Sequence, residues 1–194
     1  MRHFVYFSSH GVTSGGAVNN FKLMESGRMD IAIHSLIQGI FLSHDFRKDC
    51  VFHLILYGMP DPPKHIEILV NDETPISKKD VGNLIKKILY KYKPGEKKEV
   101  FPGCFVEKKN FFEVLRELEE NGCEVFVLDK KGKSIREIEI EKTPVFVLGD
   151  HEGLPSKELK RLKKSSTLVS VGPKVYFASQ TVAIVNNELD IREI

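Results

Sequence analysis

Apolar positions along the chain follow two rhythms. Short dense runs, HFVYFSS (3–9), VFHLILYG (51–58), CEVFVLD (123–129), TPVFVLG (143–149) and TLVSVG (167–172), predict buried strands. HIEILV (65–70) alternates more strictly and predicts an exposed edge strand. Between the runs, apolar residues recur at helical spacing. DIAIHSLIQGIFLSH (30–44) predicts a buried helix, and Val81, Leu84, Ile85, Ile88 and Leu89 mark another, opened by the capping-box-like S-K-K-D at Ser77. Asn110 with Glu113 opens a third helix, which closes at Asn121-Gly122. A basic helix begins near Ser156, just after Pro155, and a last one near Ser179 carries Val182, Val185 and Leu189 on one face.

This alternation predicts an α/β protein with a mainly parallel sheet and helices on both faces. No linker, repeat or low-complexity segment interrupts it, so residues 1–194 read as a single domain. Hydrophobic residues at 41% and charged residues at 29% fit a soluble globular chain. No apolar run approaches the roughly 20 residues of a membrane span, and the opening MRHFVYFSSH lacks a signal-peptide build; a cytoplasmic location is expected. Cys50, Cys104 and Cys123 are odd in number and far apart, which favours core packing over a disulfide framework or a zinc knuckle. A formal net charge of +2 does not argue for nucleic acid, but the clusters at 86–98, 130–133 and 157–164 are basic. Such clusters either grip phosphate or cover solvated helix faces.

The candidate chemistry gathers around VFVLGDHEGLP (145–155), where an apolar run stops in Gly-Asp-His-Glu-Gly. His151-Glu152 starts like a zinc signature, but position 155 is proline, and no other histidine spacing suggests a metal; none is expected. The chain has no Walker loop and no G-x-G-x-x-G after its first strand. Parallel sheets bind ligands beyond the carboxyl ends of their strands. Three such ends, Leu128-Asp129, Gly149-Asp150 and Val171-Gly172, could offer backbone groups to a flat, adenine-like edge. The plainer reading is that the glycines only turn the chain.

These strand ends and the last helix resemble the cofactor half of the SPOUT methyltransferases. LGDHEGLP (148–155) is similar to their G-x-E-G-L loop, and LVSVGPKVYFASQTVAIVNNELD (168–190) to their final motif. GRMDIAIHSLIQGIF (27–41) resembles the R-x-D-I-x-H segment of the branch that methylates N1 of pseudouridine. SSHGVTSGG (8–16) and YGMPDPPKHIEI (57–68) bring the resemblance closest to the archaeal enzymes acting on tRNA pseudouridine 54.

The resemblance implies a trefoil knot within about 123–194, S-adenosylmethionine as cofactor, tRNA as substrate and a homodimer; the apolar Val182-Val185-Leu189 face of the last helix is expected to form part of the dimer, unless it packs only on its own sheet. The resemblance places Leu128, Gly149, Gly153, Val171, Gly172, Val175, Tyr176, Ala178 and Val182 at the cofactor, with Asp150, His151 and Glu152 at the rim. The turn at Ala178–Val182 holds no cysteine.

Removing the N1 proton of pseudouridine calls for an acceptor. Asp30 is the candidate, with Arg28 to stabilise developing negative charge or hold a phosphate, and Asp61 as a second candidate for base contact. Asp30 also suits a helix cap, Asp61 a plain turn, and His34 a packed partner. Ribosomal RNA as substrate, or RNA binding without catalysis, stay open at this point.

Overall fold

The central strands are apolar on both faces because helices cover the sheet from both sides. The computed structural model describes residues 1–194. Its strands are β1 (Arg2–Ser8), β2 (Cys50–Leu56), β3 (Lys64–Leu69), β4 (Lys98–Phe101), β5 (Cys104–Glu107), β6 (Glu124–Ser134), β7 (Pro144–Gly149) and β8 (Thr167–Ser170). Its α-helices are α1 (Met29–Ile40), α2 (Val81–Tyr90), α3 (Phe111–Glu120), α4 (Ser156–Leu162) and α5 (Ala178–Ile191). One eight-stranded sheet runs β4-β5-β3-β2-β1-β7-β6-β8. From β2 through β1, β7 and β6 to β8 every pairing is parallel, whereas β2-β3, β3-β5 and β5-β4 are antiparallel. The α/β expectation therefore holds, with an antiparallel flank on the β3–β5 side.

On one face Phe4, Phe52 and Phe146 pack under α1, α2 and α5; on the other Val5, Phe7 and Val147 pack under α3 and α4. Asn110 and Glu113 form the expected capping box, with Asn110 accepting from the Glu113 N–H at 3.0 Å and Glu113 from the Asn110 N–H at 2.8 Å. Ser77 does not open α2: it forms a backbone turn to Asp80, and the helix starts at Val81 without a side-chain cap. α1 ends at Ile40 rather than running on to residue 44. Cys50 and Cys104 are buried, and Cys123 is half-buried.

Two further expectations need correcting. HIEILV is not at an edge: β3 lies between β2 and β5, and His65, a polar position in its alternation, is as buried as its isoleucines. Its neighbour on the outer side, the β4–β5 hairpin, escapes the apolar pattern because β4 is short and charged. The Val182-Val185-Leu189 face of α5 is fully buried within the chain, where α1 covers it. That face is not available for a dimer. Buried Arg2 and Asn186 fix α5 in place: Arg2 donates to the Asp190 carboxylate at 2.9 Å, and the Asn186 amide donates to the Gln38 carbonyl at 3.0 Å. No helix is long and apolar enough to cross a membrane.

Candidate active site

The carboxyl ends of β7, β6 and β8 and the start of α5 enclose a cavity of about 530 Å³, within the range of small-molecule sites. Its shape depends on glycines. A carbon added to Gly149 would stand 2.2 Å from the Gly153 carbonyl carbon, so Gly149 lets the loop fold back onto its own strand. Gly153 takes φ 78°, which the returning turn requires. Gly149 thus serves loop closure first, and any approach to a ligand second. β6 does not end at Asp129; its pairing with β8 slips between Leu128 and Lys133, and this irregular stretch carries Leu128, Asp129 and Lys130 onto the cavity wall.

Leu128, Gly149, Gly153, Val171 and Gly172 all line the cavity, as do Val175, Tyr176 and Ala178. Val182 does not: it lies one helical turn further along α5 and points into the core. Sequence reasoning missed Ile31, Lys130, Lys174 and Thr181, which also line it. Ile31 carried a signal, since it directly follows the R-x-D segment. His151 and Glu152 sit at the rim, but Asp150 is buried.

Arg28 and Asp30 meet in a two-point ion pair, with Nε and the second guanidinium nitrogen each 3.0 Å from a carboxylate oxygen. The bond from Arg28 holds the Asp30 carboxyl below the ordinary carboxylate range. Arg28, not Asp30, is the residue before α1, in a left-handed conformation with φ 61°; Asp30 lies in the first turn, where the helix dipole favours a negative charge. Ile31, the next residue, places the pair beside the cavity wall. His34 is exposed rather than packed.

The buried Tyr6 hydroxyl has no protein partner. Burial, then the Asp150 and Asp30 carboxylates, raise its pKa, so the phenol stays protonated. Asp61 is half-exposed and does not line the cavity; it pairs with Lys108 and, at 2.6 Å, with Lys64, and both hold its carboxyl below the ordinary range.

Away from the cavity, on the α3 face, a histidine ladder crosses the sheet. His3 Nδ1 lies 3.1 Å from His53 Nε2, His53 Nδ1 lies 2.9 Å from His65 Nε2, and His65 Nδ1 lies 2.9 Å from Glu107. One set of neutral tautomers satisfies every link, each Nδ1–H donating toward Glu107. Ligand atoms of His53, His65 and Glu67 fall within 4.8 Å of one another, a grouping that sequence spacing does not reveal. Hydrogen bonds already occupy these ring nitrogens, and Lys97 at 2.9 Å neutralises Glu67.

The cavity suits a ligand with a flat apolar part and charged ends: Leu128, Leu148, Val169 and Val171 supply the apolar wall, and Asp129, Lys130 and Lys174 the charges. All 194 residues match the family model described as "Putative SAM-dependent RNA methyltransferase". A tRNA (pseudouridine(54)-N(1))-methyltransferase of Methanococcoides burtonii is 33% identical, covering 98% of this chain and 96% of its own. One of Pyrococcus abyssi is 34% identical, covering 98% of each. Among solved structures, Archaeoglobus fulgidus Nep1 bound to S-adenosylhomocysteine is similar over 100% of this chain and 99% of its own, with a TM-score of 0.63 at 14% identity. That likeness establishes a shared fold, and the match over the whole chain places the protein in the family of S-adenosylmethionine-dependent RNA methyltransferases.

Proposed function

We propose that this protein methylates N1 of pseudouridine in tRNA, at position 54, with S-adenosylmethionine as donor. The observation that carries the reading is the cavity at the β7, β6 and β8 ends, with the Arg28–Asp30 pair beside it. The relatives named for this reaction match nearly the full length of the chain.

The cofactor supplies an electrophilic methyl group that leaves behind a neutral thioether. Little activation is needed, so the protein's task is alignment and proton removal. Leu128, Gly149, Gly153, Val171, Gly172, Val175, Tyr176 and Ala178 would hold the cofactor, largely through backbone and apolar contact. Asp30 accepts the N1 proton, directly or through water. Its bond to Arg28 makes it a weak base but keeps it ionised at neutral pH. Arg28 counters negative charge developing on the base. Asp61 stands off the cavity and holds RNA or its own loop rather than the reacting atom.

The parallel β7, β6 and β8 segment is the part that would carry the trefoil threading. A homodimer fits the surface beside the cavity, where Val175 and Phe177 are 79% and 76% exposed, better than it fits the buried face of α5. Sedimentation at micromolar concentration gives a dimer mass if so, and a monomer mass if not.

The test of function is a reaction of purified protein with two tRNA transcripts, one carrying pseudouridine at position 54 and one uridine. Nucleoside mass spectrometry should find 1-methylpseudouridine in the first and no product in the second, whose N1 is bonded to the sugar. Methylation of the uridine transcript would point to another atom.

A further inference from the structure

The segment Ser8–Thr13, leaving the end of β1, lies between the 149–153 loop and the segments around Gly27 and Gly58–Asp61. On one side lies Asp150, the first residue past β7, which is 7% exposed. Its carboxylate accepts from the Ser9 N–H at 3.0 Å, the Glu152 N–H at 2.9 Å and the Ser8 hydroxyl at 3.3 Å. Ser8 Oγ in turn accepts from the Gly11 N–H at 2.9 Å.

On the other side, the Gly11 carbonyl accepts from the Gly58 N–H at 2.9 Å. Thr13 Oγ1 donates to the Gly58 carbonyl at 2.8 Å and accepts from the Asp61 N–H at 2.9 Å. The His10 carbonyl oxygen is pressed against Gly27, where an added carbon would stand 1.7 Å away, immediately before Arg28. A continuous line of contacts therefore joins the loop at 149–153 to both segments that carry candidate catalytic residues.

We propose that Asp150 is a positioning residue that couples the cofactor loop, through Ser8–Thr13, to the Arg28–Asp30 pair and the Asp61 loop. A carboxylate suits the task because both oxygens must accept: one takes Ser8 and Ser9, the other Glu152. An asparagine offers one acceptor and turns an N–H₂ toward donors on the other side. The buried groups it leaves unpaired make one of the two links fail. The consequence for methyl transfer rests on the function proposed above; the mechanical link does not.

The experiment compares wild type, D150N and S8A by amide hydrogen exchange with and without S-adenosylhomocysteine. S8A removes the hydroxyl that donates to Asp150 and accepts from the Gly11 N–H, while the Ser9 N–H bond keeps Asp150 and the cofactor loop in place, so it reports even if D150N folds poorly. In wild type, cofactor product should slow exchange both at 149–153 and at 8–13 and Gly58. In D150N the slowing should stop at the cofactor loop, and in S8A it should be weaker at 8–13 and Gly58 than in wild type, because only the Ser9 N–H bond to Asp150 is left. Equal protection of both segments in wild type and S8A overturns the proposal. At saturating cofactor and pseudouridine-containing tRNA, the single-turnover rate of S8A should fall about 10–10²-fold with cofactor affinity unchanged, as for a misplaced reactant. A lower cofactor affinity with an unchanged rate would make Asp150 a holder of its own loop only, and would also overturn the proposal. Wild-type protein that methylates no RNA sinks the functional reading, and the exchange comparison then decides the coupling by itself.

Discussion

The two sides of the site are built from different materials. The cavity is shaped by backbone and apolar side chains: Gly149 closes a loop, Gly172 takes φ 154°, and Leu128 and Val171 form wall. The neighbouring region is built from charge pairs, Arg28 with Asp30 and Asp61 with Lys64 and Lys108. A backbone cradle tolerates few shapes of residue but is indifferent to pH. A charge pair keeps its geometry only while both partners are ionised and correctly placed. Holding a cofactor fits the first construction, and steering a proton fits the second.

If that division is right, removing the Asp30 charge should have the largest effect. D30N should lower the single-turnover rate by about 10²–10⁴-fold, as for a positioned proton acceptor, while cofactor affinity measured by calorimetry stays the same. A loss of affinity with an unchanged rate would move Asp30 to the cofactor side of the comparison. The reverse pattern is expected at the cradle. G149V forces a branched carbon into the Gly153 backbone, and backbone strain of about 1–3 kcal/mol should weaken S-adenosylhomocysteine binding by about 10–10²-fold. The rate at saturating cofactor should change far less than in D30N.

The histidine ladder, a polar construction outside both regions, should show a pH dependence in stability. Burial pushes His3 down to about 4 from 6.5, so between these values the unfolded chain binds the proton and the folded one does not. Stability therefore falls as pH drops from 6.5 to 4, with buried His53 acting in the same direction. Glu107 follows at lower pH. Burial raises its pKa, but the bonds from His65 and Lys109 overcome this and hold it at about 2 against 4.5, so stability falls further from pH 4.5 to 2. Thermal melts should show both declines, H3Q flattening the first and E107Q the second. A melt independent of pH from 6.5 to 4 would mean the ladder is open to water. The smallest effect belongs to E152Q. The His10–Glu152 pair is more than half exposed at 3.2 Å, and such pairs contribute about 0–1 kcal/mol, so cofactor affinity should move by less than about fivefold.

The same contrast explains what the sequence allowed one to read. Strands β1, β2, β6, β7 and β8 announce themselves because sheet burial demands unbroken apolar runs, and the glycines of the cavity stand out because few other residues fit there. β3 misled because its polar positions face a buried histidine ladder rather than water, a partnership made between strands far apart in the chain. The resemblance of the final motif puts Val182 at the cofactor, yet helical geometry rotates it into the core. Asp150 looked like a rim residue because a carboxylate between glycines is normally solvated; its three donors come from segments 8–9 and 152 and are visible only in the fold. Arg28 and Asp30 were legible as a pair of residue types, but not as an ion pair beside the cavity.

Resonance mapping of S-adenosylhomocysteine on the isotopically labelled protein tests most directly that the cradle holds the cofactor. Titration should perturb the backbone amides of Gly149, Gly153 and Gly172 strongly, saturate at one ligand per chain, and perturb the same amides weakly or not at all in G149V. Strong perturbation elsewhere with these three glycines silent, or no binding at all, would contradict the account.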